Sequence, residues 1–151
     1  MPKITIFDIT PQTHVRATQG DRVFFRIPRD KLLPSGLKRL KRLEKYNNYK
    51  ISILALAKQK KFVLPEQGCH IIFYIPVSKS WKNYKKKAMH MQLHQLKPDI
   101  DNLTKGLFDG LMLEDKHIAD IRITKKWVNK EQGWIEFICS TPTFPSSDNL
   151  M

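Results

Sequence analysis

Cysteine is scarce: Cys69 and Cys139 are the only two in 151 residues, with no CxxC and no Cys/His cluster around either. That excludes a zinc ribbon and a disulfide scaffold. Both thiols read as core cysteines in a reducing compartment, so a cytoplasmic location is expected. Long apolar runs are also missing. None approaches the roughly 18 residues a membrane-spanning helix needs, so no membrane partner is expected. Residues 1–8 show no charged segment leading into an apolar stretch, so no signal peptide is expected. Acid is the third scarcity: 14 Asp+Glu stand against 27 Lys+Arg, a formal charge of +13 at pH 7. A chain this basic repels itself and attracts polyanions, nucleic acid before an anionic membrane surface.

The remaining composition is globular, with 41% hydrophobic and 27% charged residues. Length and composition predict a single domain over residues 1–151, with a frayed tail from about residue 142. The charge is unevenly spread. Between Arg22 and Lys61 thirteen basic residues accompany only Asp30 and Glu44, and from Gln67 to Pro98 there is no acid at all. Then the pattern inverts: Asp99, Asp101, Asp109, Glu114, Asp115 and Asp120 follow within a short stretch. Local carboxylates would repel a gripped phosphate unless a hard divalent cation sat between them.

Periodicity predicts strands at Lys3–Asp8 (Ile4 and Ile6 on one face), Arg22–Ile27, Cys69–Ile75, Ile118–Val128 and Trp134–Cys139. The last two are expected to form a hairpin around Asn129–Gly133. Ile71–Ile75 is apolar without alternation, as in a strand covered on both faces. Leu37, Leu40, Leu43, Leu54 and Ala57 predict one long basic helix from Gly36 to about Lys61, with Asn47-Asn48 as its weak point. The lysine-rich stretch Ser78–Leu96 lacks clear periodicity and reads as a loop or short helix. Asp99 or Asp101 is expected to cap a second helix, ending near Met112, with Leu103, Leu107, Leu111 and Phe108 facing the core. The fold class expected is α+β: a mixed sheet packed with two main helices.

Asp99 and Asp101 lie two apart. An extended Lys97–Asp101 would turn both carboxylates to one side. With Asp115 they could hold Mg²⁺ or Mn²⁺, with Lys105 one turn beyond Asp101 to offset charge on a transferring phosphate. The plainer reading is a helix cap and an i,i+4 ion pair. The lysines at 79, 82, 85, 86, 87 and 97, with Trp81 and Tyr84 among them, read as a DNA-facing surface; the alternative for the aromatics is packing back on the core. His90 and His94 could share a zinc ion only on one helical face. His117 reads as a surface histidine.

The string Lys97-Pro98-Asp99-Ile100-Asp101-Asn102-Leu103-Thr104-Lys105-Gly106-Leu107-Phe108-Asp109-Gly110-Leu111, followed by Leu113–Lys125, resembles the signature of the RusA-type Holliday junction resolvases. The likeness extends over roughly Val15–Ser140 and is strongest from Lys97 to Trp127. It implies small homodimeric, Mg²⁺-dependent endonucleases that cut four-way DNA junctions by paired nicks, a role in DNA recombination and repair common in prophages, and no small-molecule cofactor. Asp99, Asp101 and Asp115 take the place of the metal-holding carboxylates, Lys105 that of the essential lysine, and Asn102 that of the asparagine ordering the site. Glu114 stands where the family usually has a second Asp. Asp120, read from its place at the start of a strand, could support the site or lie on its rim. Two rivals remain at this point: a broader branched-DNA or flap nuclease with the same site, and a non-catalytic basic DNA-binding module.

Overall fold

A strand that is apolar without alternation must be covered on both faces, and β2 (Gln67–Pro76) is, at Ile71 and Phe73 on one and at Ile72 and Tyr74 on the other. In the computed structural model, which describes residues 2–140, the sheet order is β1 (Lys3–Phe7), β4 (Trp134–Cys139), β2, β3 (Asp120–Val128). β2 runs parallel to β3 and antiparallel to β4, so the sheet is mixed. Ile71, Ile72, Phe73 and Tyr74 are all buried. Ile4 and Ile6 do share a face of β1, but it is the exposed one; Phe7 on the other face is wholly buried against Phe62 and Phe137.

This sheet belongs to the first of two compact units, Met1–Thr10 with Phe62–His94 and Asp115–Met151. It also holds the short helix α3 (Asn83–Met89) and a 3-10 turn at Asp115–His117. The tail expected from about residue 142 lies outside the described residues. The expected hairpin is not formed, because β4 does not pair with β3 and lies instead between β1 and β2. The reason is in the side chains: β3 carries Arg122, Lys125 and Lys126 and suits an edge, where β4 is apolar enough to sit inside.

The second unit comprises Pro11–Lys61 and Gln95–Glu114. Its long helix α2 (Pro34–Gln59) runs unbroken through Asn47-Asn48, because Tyr46 and Tyr49 are buried on its inner face. It packs against α4 (Ile100–Leu111), whose Leu103, Leu107 and Phe108 are buried as the periodicity required. Segment Arg22–Ile27, expected as a strand, is instead the helix α1 (Asp21–Arg26). The buried Asp21 carboxylate accepts hydrogen bonds from the Thr18 backbone N–H (2.7 Å) and hydroxyl (3.1 Å) and pairs with Arg39 on α2 (3.0 Å). That long-range anchor ties the segment to a helix start, which local alternation could not reveal. Among the described residues no helix is long and apolar enough to cross a membrane.

Candidate active site

The D-x-D pair stands where α4 begins. Asp99 is its N-cap residue, extended at φ −72° and ψ 146°, and Asp101 already lies in the first helical turn. The period-of-two argument therefore does not apply, since the chain turns helical between the two carboxylates. Asp99 makes no side-chain capping hydrogen bond. Asp101 Oδ1 accepts the Asn102 backbone N–H at 2.8 Å, leaving Oδ2 for another partner. Both residues are exposed, as are Asn102 and Lys105. Lys105 is one turn beyond Asp101, yet among the described residues the two form no ion pair, so the plain i,i+4 reading is not realised.

Asp99, Asp101, Asn102, Lys105 and Glu114 belong to the second unit, whereas Asp115 and Asp120 belong to the first. Asp115 opens the 3-10 turn, its carbonyl accepting the Ile118 N–H at 3.0 Å. Asp120 starts β3, with its backbone N–H directed to the Glu66 carbonyl. All three acids from 114 to 120 are exposed. Exposed carboxylate oxygens, with no thiolate or imidazole among them, have the donor chemistry a hard cation such as Mg²⁺ takes. Among the described residues no three or more His, Cys, Asp or Glu side chains gather into a metal-holding cluster.

The lysine-rich stretch lies on the first unit. Lys79, Lys82, Lys85 and Lys87 are exposed and Lys86 half-buried, with Lys85–Lys87 on α3. Trp81 packs back, as the alternative reading had it: its ring lies 4.8 Å from Trp127, and Lys85 Nζ sits 4.2 Å over its face. Tyr84 is the open ring, 74% exposed. His94 is buried and stacks on Trp127 at 3.6 Å, and His90 Nδ1 accepts the Asn129 N–H. α3 ends at Met89, so the two histidines share no helical face and the zinc pair is not built. Cys69 and Cys139 are free and face each other across β2 and β4, and burial pushes the Cys69 thiol far above its usual range.

Sequence reasoning missed one group. His14 Nδ1 lies 2.9 Å from Asp109 Oδ2 and 3.0 Å from the Tyr46 hydroxyl. The Tyr46 phenol donates to that same Asp109 oxygen at 2.9 Å. Burial, then the Asp109 hydrogen bond, raise the Tyr46 pKa well above its usual value, which keeps the phenol a donor. His14 also binds α4 through its backbone, its N–H donating to the Asn102 carbonyl at 3.0 Å. The one visible signal was a tyrosine on the apolar face of α2, since a buried phenol needs a partner.

Residues 35–136 match the family model described as Endodeoxyribonuclease RusA. The span includes α2 from its second residue, the stretch Lys79–Lys87, the whole string Lys97–Leu111 and Asp115, but not His14. No curated protein and no solved structure matches the chain. With two thirds of its length inside that one model, the chain belongs to the RusA endodeoxyribonuclease family.

Proposed function

We propose that this chain is a Mg²⁺-dependent, structure-selective endonuclease that resolves four-way DNA junctions by paired nicks, acting as a homodimer. The observation that carries the proposal is the exposed pair Asp99 and Asp101 at the start of α4, the first making no capping hydrogen bond, inside the string that resembles the family signature. A helix cap uses its carboxylate on the backbone; the Asp99 carboxylate is not so used. Asp99, Asp101 and Asp115 would hold the metal, which when bound supplies Lewis-acid activation of water and charge neutralisation at the phosphodiester. Lys105 brings to the same helix an exposed ammonium with no ion pair among the described residues, and offsets negative charge growing on the phosphate oxygens. Asn102 ties the segment before α1 to α4, its carbonyl accepting the His14 N–H, and fixes Asp101 through its own N–H. Glu114 and Asp120 flank the third carboxylate in sequence and support it. Lys79, Lys82, Lys85, Lys86 and Lys87, with Trp81 beneath Lys85, and Lys97 two residues before Asp99 contact DNA phosphates. A two-fold homodimer presents two equivalent sites to two symmetry-related strands of the junction.

The test is cleavage of a labelled four-way junction beside a linear duplex and a flap, with and without Mg²⁺, by wild type and Asp101→Asn. Symmetric nicks on the junction alone, dependent on metal and absent in the variant, are expected. Equal cutting of the flap would replace the resolvase with a broader nuclease. Tight binding with no cleavage under any divalent metal would overturn the catalytic reading.

A further inference from the structure

The arginines of the second unit are not equivalent. Arg29 pairs with Glu44, and Arg39 with the buried Asp21. Arg42, exposed on α2, forms no ion pair among the described residues. It lines a pocket of about 480 Å³ together with Thr13, His14, Lys97, Asp99 and Asn102. Two cations thus share one concavity with a hydroxyl, an amide and an imidazole. Asp109 and Tyr46 hold Nδ1 of that imidazole. The ring is thus held in place before any ligand arrives, so little ordering cost remains at binding.

The lining selects for an anion with several oxygen acceptors. A guanidinium offers a planar fork that matches two phosphate oxygens, and the lysine adds a point charge. The pocket is larger than a free phosphate needs and suits a phosphodiester with its flanking sugars. Asp99 on the same wall would repel such a group, so a ligand is retained only because two cations face that one carboxylate. We propose that this pocket holds a backbone phosphate of the DNA strand beside the D-x-D pair, with Arg42 as its principal contact and Lys97 as its second. The inference rests on the endonuclease reading for its ligand, but Arg42 lies outside the Lys97–Leu111 string.

The experiment measures equilibrium binding of a labelled four-way junction in EDTA, where no hydrolysis occurs, across a salt series. It compares wild type, Arg42→Gln and Arg29→Gln, each first checked for an unchanged melting transition. Arg42→Gln is expected to bind several-fold more weakly at low salt, with the slope of log K against log salt smaller by about 0.9, the value for one lost phosphate contact on duplex DNA. Arg29→Gln, whose guanidinium is already paired, should keep the wild-type slope. An Arg42→Gln slope equal to wild type, or no DNA binding by wild type, overturns the proposal. The nuclease reading stands or falls separately, on cleavage by wild type with Mg²⁺: a changed slope without cleavage leaves the pocket and removes the enzyme.

Discussion

Asp99 sits at a capping position without capping, and that separates stability from activity at one residue. Asp99→Ala should change folding stability by less than about 0.5 kcal/mol, as for an exposed side chain with no partner, while junction cleavage is lost. Chemical denaturation run beside a cleavage assay checks both halves. Asp21 is the reverse case. Arg39, then the Thr18 N–H, hold its carboxyl far below the usual carboxylate range. A depressed folded pKa adds stability above the unfolded value of about 3.9 and loses it as pH falls below. The stability gap between wild type and Asp21→Asn should therefore be full at pH 6 and shrink below about pH 4, read from denaturation midpoints over that range. Tyr74 titrates at the other end: burial, then the Glu136 carboxylate it donates to, push it up to about 12. A raised folded pKa adds stability below the unfolded value of about 10 and loses it as pH climbs toward the folded one. Wild type should consequently lose its advantage over Tyr74→Phe between those two values. The string that carries Asp99, Asp101 and Lys105 was legible in the sequence because a motif is local. Asp21 and His14 were not, because their partners Arg39 and Asp109 lie 18 and 95 positions away and nothing local marks them.

At the scale of elements, α4 must lie close to α2 and to the segment before α1, and its glycines permit it. A Cβ at Gly110 would stand 2.8 Å from both Cβ and Cγ2 of Ile53, and one at Gly106 would stand 2.9 Å from the Gln12 carbonyl oxygen. Alanine gains about 1 kcal/mol of helix propensity over glycine. Ile53 is wholly buried and its Cβ is bound to the helix backbone, so it has little room to yield. Overpacking costs about 1–3 kcal/mol, and Gly110→Ala should thus lower stability despite the propensity gain. A rise in melting temperature would show that α2 and α4 separate without penalty. Helices α2 and α4 were readable because their buried leucines repeat at a period of 3.6, a signal internal to each segment. Segment Arg22–Ile27 misled for the complementary reason. Six residues are too few to tell a strand from one and a half helical turns, and the Asp21–Arg39 pair made the choice.

Across the whole molecule, a charge of +13 makes DNA affinity a function of ionic strength. A protein neutralising several phosphates loses about 10³–10⁵-fold in affinity between 50 and 200 mM salt. A loss in that range is expected for the junction, and a flat salt response would exclude phosphate contacts as the source of affinity. The amino-acid order alone determined the basic charge, the long helix, the doubly covered strand β2 and the carboxylate–lysine string, since each is written in composition or in residues close together. Tertiary structure alone decided that β4 rather than β3 lies inside the sheet, that Trp81 turns back onto Trp127, and that Arg29 and Arg39 form ion pairs while Arg42 forms none among the described residues. These are choices among partners distant in sequence, and the packing energy that settles them exists only once the elements meet.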